Sequence, residues 1–184
     1  MNNRIYNRKV AVVGCGFVGS TCAFSLMQSS LFSEMVLIDV NTARAEGEAL
    51  DIAHGVPYYS PMNIYAGTYE DLADASIVVI AAGANQKPGE TRLDLLQTNV
   101  TILKNVASSI MAQDFGGIIV VVSNPVDILT QVVMKLSGLP KERVMGSGTV
   151  LDSARLKYIL GHTLDVDPRH VHARITVSYT HLRA

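Results

Sequence analysis

Cysteine is scarce in this chain: Cys15 and Cys22 are the two it has. Their number and spacing exclude a disulfide framework and a cysteine-built metal site, and predict two reduced thiols at a strand–helix corner. An excess of either charge is lacking as well, with 15 Lys+Arg against 16 Asp+Glu and a net charge of −1. That balance gives no basic face and no acidic tail, hence no electrostatic reason to expect nucleic acid or an anionic membrane as partner. Long apolar runs are missing too. The longest, residues 117–122 and 77–82, fall far short of a bilayer span. Met1-Asn2-Asn3-Arg4 leads towards an apolar strand without the h-region and cleavage site of a signal peptide, so the expected setting is cytoplasmic. What the chain does have is 48% apolar and 17% charged residues over 184 positions. That suits a packed globular protein with one sizeable core, or one domain and part of another.

Short runs rich in Val and Ile alternate with longer amphipathic stretches. The runs are residues 9–13, 35–40, 77–81, 118–122, 144–145 and a last candidate at 171–176. Their near-continuous apolar character is that of strands buried on both faces. Helical periodicity falls between them at 18–28, 42–53, 92–111, 128–136 and 153–164. Strand and helix repeating in this way predict an α/β fold, a doubly wound parallel sheet with helices on both sides. No internal repeat or low-complexity segment interrupts it.

The first predicted strand runs directly into Gly14-Cys15-Gly16-Phe17-Val18-Gly19, where a helix begins, and Asp39 ends the second strand 20 residues beyond Gly19. This is the dinucleotide fingerprint in its required context. Gly14 permits the tight turn, Gly16 lets backbone N–H groups approach a pyrophosphate, and Gly19 lets helix and strand pack closely. The helix N-terminus offers free N–H donors and partial positive charge to that pyrophosphate. Asp39 is placed to accept hydrogen bonds from an adenosine ribose diol and to repel a 2′-phosphate, which favours NAD over NADP. The alternative is a tight turn followed by a solvated aspartate.

Three further segments follow predicted strands: Ala81-Ala82-Gly83-Ala84-Asn85-Gln86-Lys87-Pro88-Gly89-Glu90-Thr91-Arg92, Val122-Ser123-Asn124-Pro125-Val126-Asp127 and Gly148-Thr149-Val150-Leu151-Asp152-Ser153-Ala154-Arg155. In this order they resemble the lactate/malate dehydrogenase family, over about residues 9–175. The resemblance implies a Rossmann domain over 1–147, the beginning of a substrate domain over 148–175, and a tail at 176–184 outside the family pattern. It implies hydride transfer between a nicotinamide and a small 2-oxo acid, which needs a held carboxylate, a polarised carbonyl and a proton donor. Arg155 matches the family's bidentate carboxylate clamp. Arg92 matches the mobile-loop arginine that polarises the carbonyl, with Pro88 and Gly89 in a loop suited to act as a lid. Asn124 matches the residue that hydrogen-bonds the substrate oxygen. Asp152 matches the carboxylate that orients a catalytic histidine. Taken singly, each has a plainer reading: Arg155 as a surface charge, Asn124-Pro125 as a turn, Asp152 as a helix N-cap, Arg92 as an exposed helix-start residue.

Gln86 discriminates between substrates. The malate dehydrogenases of the family place an arginine at the matching position to pair the second carboxylate of oxaloacetate. A neutral glutamine cannot neutralise that charge in a water-poor site, and it tolerates the methyl group of pyruvate. The resemblance therefore implies pyruvate and L-lactate, with malate as the alternative and a non-catalytic NAD-binding module as a third reading. It also places Val18, Arg44, Tyr69, Gly83, Ala84, Val122, Asn124 and Thr149 near NAD, and implies a homotetramer for the complete enzyme. Some bacterial members bind fructose 1,6-bisphosphate through an arginine and a histidine, matched here by Lys157 and His172. Lysine keeps the charge without the fork, and His172 reads equally as a strand-end histidine. The family's catalytic histidine belongs seven residues after His172, in Gly-Glu-His-Gly-Asp; here that position is Tyr179, in Thr176-Val177-Ser178-Tyr179-Thr180-His181. A phenol titrating near pH 10 is a poor substitute for a group that exchanges protons near neutrality, so the chain as written is expected to be inactive.

Overall fold

The computed structural model describes residues 8–84, 89 and 91–176, and of Arg92 the backbone alone. The chain forms β1 (Lys9–Val13), α1 (Phe17–Ser29), β2 (Glu34–Ile38), α2 (Thr42–Ala53), β3 (Asn63–Ala66), β4 (Ile77–Ile80), α3 (Arg92–Met111), β5 (Ile118–Val121), α4 (Val126–Ser137), β6 (Val144–Gly146) and α5 (Val150–Leu164). The six strands β1–β6 make one sheet in the order β3-β2-β1-β4-β5-β6, every pair parallel. This is the doubly wound sheet that the strand–helix alternation predicts.

The period-2 pleat sends each strand's residues alternately to two separate cores. Ala11, Val13, Val36, Ile38, Val78, Ile80, Ile119 and Val121 pack on one face against Leu103, Val106 and Ile110 of α3 and Leu129 and Val133 of α4. Val10, Val12, Met35, Leu37 and Val79 pack on the other against Ala23 and Met27 of α1 and Ala45, Ala49 and Ile52 of α2. Each fully buried Val, Leu, Ile or Met removes enough apolar surface from water to contribute about 1.5–3 kcal/mol. These strands therefore need no polar face, which is why their sequences run apolar without interruption.

Side-chain caps fix where helices begin. Asn41 Oδ1 accepts the Arg44 N–H at 3.1 Å ahead of α2. At α3, Thr91 Oγ1 accepts the Asp94 N–H at 3.2 Å while Asp94 Oδ2 accepts the Thr91 N–H at 3.1 Å, a reciprocal capping box. At the N-terminal edge of the sheet Lys9, 4% exposed, reaches Glu34 at 3.1 Å and Asp74 at 2.9 Å. The Tyr65 hydroxyl donates to Glu34 at 2.8 Å. Burial works against the Lys9 charge, but the bonds with Asp74, Tyr65 and Glu34 outweigh it and raise its pKa above the usual lysine range.

Several boundaries depart from the sequence expectation. Asn63–Ala66 pairs with β2 alone and closes one edge of the sheet as β3. Its Asn-Ile-Tyr-Ala sequence is half exposed and lacks the Val/Ile run that marks the inner strands. The strand expected at 171–176 does not form. Side chains hold that segment instead: Thr149 Oγ1 donates to the Ile175 carbonyl at 2.6 Å, and Ser153 Oγ accepts the Ile175 N–H at 3.0 Å. β2 stops at Ile38, so Asp39 follows the strand rather than ending it. Helix α5 starts at Val150, three residues ahead of expectation, with Thr149 at its N-cap position. The chain divides into two compact units with the boundary between Gly146 and Ser147. In the second, α5 packs at Gly161, where an added Cβ would lie 2.8 Å from Pro168 Cγ. Among the described residues, no helix is long and apolar enough to cross a membrane.

Candidate functional site

The sheet order reverses direction at β1, whose neighbours are β2 on one side and β4 on the other. Beyond the carboxyl ends of β1 and β4 the following chains diverge, and an open α/β sheet has its ligand crevice at such a point. Gly14 sits there with φ +97°. A Cβ at Gly14 would lie 2.5 Å from the Ala82 nitrogen, so the turn after β1 and the chain leaving β4 pass backbone to backbone. A Cβ at Gly19 would land on the Gly14 carbonyl oxygen. Both glycines are thus demanded by the protein's own packing.

Gly16 differs. Its backbone is φ −72°, ψ −176°, open to any residue, and a Cβ there would meet no atom within 4 Å. Among the described residues nothing requires glycine at this position, and they leave the space beside it open. The N-terminus of α1 follows with no side-chain cap, so its first amides are available as donors. An uncapped helix start beside an open glycine fits an anionic pyrophosphate.

Asp39 faces this turn from the end of β2. Its Oδ2 accepts the Cys15 N–H at 2.7 Å and its Oδ1 the Asn41 N–H at 2.9 Å. The carboxylate therefore braces the glycine turn, and its two oxygens keep lone pairs for further donors. Tyr69 is half-buried nearby; burial first, and then the Asp39 charge, push its phenol pKa up. Val18, in the first turn of α1, and Arg44, in the first turn of α2, are exposed. Cys15 is buried, and burial, followed by Asp39 and Glu48, pushes its thiol up to about 12. Burial also raises Cys22. Neither supplies a thiolate near neutral pH.

On the other side of the crevice lie the chains leaving β4 and β5. Gly83 is exposed and Ala84 half-buried; the Ala84 N–H donates to Asn99 Oδ1 at 2.8 Å. Asn99 Nδ2 in turn donates to the Asn124 carbonyl at 3.0 Å. Ser123 Oγ donates to the Ala82 carbonyl at 2.6 Å, and the half-buried Val122 donates its N–H to Ile80 at 2.9 Å. Asn124 is exposed, in a cis peptide with Pro125, and α4 begins at the next residue. Asn99 and Ser123 escape the motif reading. The signal for Asn99 was a polar residue in the apolar stripe that continues through Leu103, Val106 and Ile110.

Gln86 lies outside the described residues, as does the side chain of Arg92, whose backbone opens α3. In the second unit Asp152 is in the first turn of α5. It is not the N-cap, which corrects the plainer reading offered above; its carboxylate is well placed for the helix dipole. Arg155 Nη1 lies 3.5 Å from Asp152 Oδ1, with the arginine side chain 61% exposed and the aspartate 17%. A pair that open to solvent holds loosely, worth a few tenths of a kcal/mol (~0.3–0.5). Thr149 spends its hydroxyl on Ile175. Lys157 is half-buried on α5, and His172 is exposed in a segment that is not a strand, so it is not a strand-end histidine. Tyr179 and the rest of 177–184 lie outside the described residues. Among the described residues, no group of His, Cys, Asp and Glu could hold a metal ion.

The sequence model of the lactate/malate dehydrogenase NAD binding domain matches residues 8–146. An L-lactate dehydrogenase of Priestia megaterium is 57% identical over 168 residues, 91% of this chain and 53% of that protein. One of Acetivibrio thermocellus is 54% identical over 175 residues, 95% of this chain and 55% of the relative. Among solved structures, the ligand-bound minor L-lactate dehydrogenase of Enterococcus mundtii superposes with a TM-score of 0.88 at 49% identity, covering 90% of this chain and 53% of that one. The chain spans about half the length of the curated relatives it matches.

Proposed function

This chain belongs to the lactate/malate dehydrogenase family through its NAD binding domain, and we propose that it serves the interconversion of pyruvate and L-lactate. The observation that carries the cofactor site is Gly16: the protein leaves open the space that a pyrophosphate would take, beside an uncapped helix start and a carboxylate. Bound NAD supplies the hydride acceptor, and NADH the donor. The chain's own residues hold and orient. Gly14 and Gly19 shape the turn, Gly16 and the first amides of α1 receive the pyrophosphate, and Asp39 accepts the ribose hydroxyls. Val18, Arg44, Tyr69, Gly83, Ala84, Val122, Asn124 and Thr149 complete the contacts with the cofactor. Asn124 donates to the substrate oxygen, Arg92 polarises the carbonyl, and Arg155 clamps the carboxylate. Asp152 orients the proton-exchanging histidine of the family.

Gln86 selects pyruvate, a reading supported by the L-lactate dehydrogenases among the relatives. We place the start of the substrate domain at 148–175, and assign the whole enzyme to a cytoplasmic homotetramer on the family resemblance. Lys157 and His172 are the candidate fructose 1,6-bisphosphate ligands. With Tyr179 in the histidine position, lactate-dependent NADH production by the 184-residue chain is expected to stay at background.

The substrate reading is tested by joining residues 1–175 to the remaining substrate domain of the Priestia megaterium relative and measuring initial rates. Pyruvate should be preferred over oxaloacetate by about 100-fold or more, because an unpaired carboxylate in a closed site costs several kcal/mol. Gln86→Arg should shift the preference towards oxaloacetate. A chimera that prefers oxaloacetate with Gln86 in place contradicts the reading.

A further inference from the structure

Asn99 stands in the buried stripe of α3 and is 3% exposed. Desolvating an amide there costs free energy that a leucine would not, so its bonds are what the position gains. Oδ1 accepts the Ala84 N–H at 2.8 Å, and Nδ2 donates to the Asn124 carbonyl at 3.0 Å. A backbone N–H can only donate and a carbonyl only accept, which fixes the sense of the amide. Ser123 adds a parallel tie to the Ala82 carbonyl at 2.6 Å. Together they join the chain leaving β4 to the turn leaving β5, on the side of the crevice away from β2 and Asp39. In a doubly wound sheet the two nucleotides of a dinucleotide lie on opposite sides of the switch point. With Asp39 on the adenosine side, the β4–β5 side receives the nicotinamide nucleotide.

We propose that Asn99 is a positioning residue for the nicotinamide half of the cofactor: from beneath the crevice it sets the backbone of Ala84 against that of Asn124. This rests on the crevice being the NAD site. A merely structural asparagine would act on the whole fold, and so on both halves of the cofactor alike. The positioning role predicts a split between them.

The test titrates the 184-residue chain with NADH, followed by nicotinamide fluorescence, and with ADP, which has the adenosine diphosphate half alone. Asn99→Ala should weaken NADH about tenfold, the equivalent of about one neutral hydrogen bond, and leave ADP within about twofold. Asn99→Asp keeps an acceptor for Ala84 and loses the donor to Asn124; it should shift the NADH-to-ADP ratio in the same direction and decides the question if the alanine variant does not fold. An unchanged ratio in the variants, with wild type binding both ligands, overturns the role of Asn99 alone. A wild-type chain that binds neither ligand overturns the cofactor-site reading beneath it.

Discussion

Replacing Gly16 by serine should produce a more stable protein that no longer holds its cofactor well. The backbone at Gly16 is extended and no atom of the described residues lies within 4 Å of an added Cβ, so they accept the side chain without strain. Removing glycine from a compatible position lowers unfolded-state entropy and stabilises by about 0.4–1 kcal/mol. Serine at the N-cap of α1, which now lacks a side-chain cap, adds a few tenths (about 0.3 kcal/mol). The sum raises the melting temperature by roughly 1–5 °C for a chain of this size. Binding goes the other way, because the new atoms occupy the space assigned to the pyrophosphate. An overpacking cost of about 1–3 kcal/mol weakens NADH by about 5- to 150-fold. Differential scanning fluorimetry and an NADH fluorescence titration on one preparation measure both. Gly19→Ala is the control with the opposite pattern: its Cβ lands on the Gly14 carbonyl oxygen, and stability should fall by at least about 2 kcal/mol. Undiminished NADH affinity in Gly16→Ser, or a loss of stability, would refute the argument that this glycine is kept for the ligand.

The ion pairs of Lys9 give a pH-dependent prediction. Its folded pKa lies above the ordinary lysine value of about 10.4, so its contribution is fully present below that pH and is lost as pH rises through the folded value. Lys9→Met should cost about 1–3 kcal/mol in urea unfolding at pH 8, because Glu34 and Asp74 are partly solvated and lose less than a buried pair would. The gap between wild type and variant should narrow above about pH 10.5; a gap that widens there contradicts the sign. Cys15, with its thiol pushed up to about 12, should resist iodoacetamide at pH 8 in the folded chain and react on denaturation, as mass spectrometry would show. Rapid labelling under native conditions would count against the buried, protonated thiol.

The inner strands were legible because parallel strands covered on both faces must be apolar along their buried length, as residues 10–13 and 118–121 are. The glycine turn and Asp39 were legible because that chemistry is confined to one short stretch. Asn63–Ala66 escaped notice because an edge strand paired on one side does not need a continuous Val/Ile run. The apolar residues at 171–176 misled for the converse reason: they record which positions seek burial, and say nothing of whether a neighbouring strand is there to pair with. Asn99 showed as a polar residue in an apolar stripe, but its partners did not: they are the backbone groups of Ala84 and Asn124, 15 and 25 residues away, and a backbone group leaves no mark in a sequence. Asp39 falls just after β2, and its hold on the Cys15 amide depends on a turn geometry that sequence does not contain.

Cofactor preference is the most direct consequence of the glycine turn and the carboxylate beside it. Calorimetric titration of the 184-residue chain with NADH and with NADPH at equal salt measures it in one experiment. The ribose role proposed for Asp39 predicts saturable NADH binding and NADPH at least about fivefold weaker, since each like-charge pair at contact distance costs about 1–4 kcal/mol. Equal affinity for the two, a preference for NADPH, or no binding of either would contradict it.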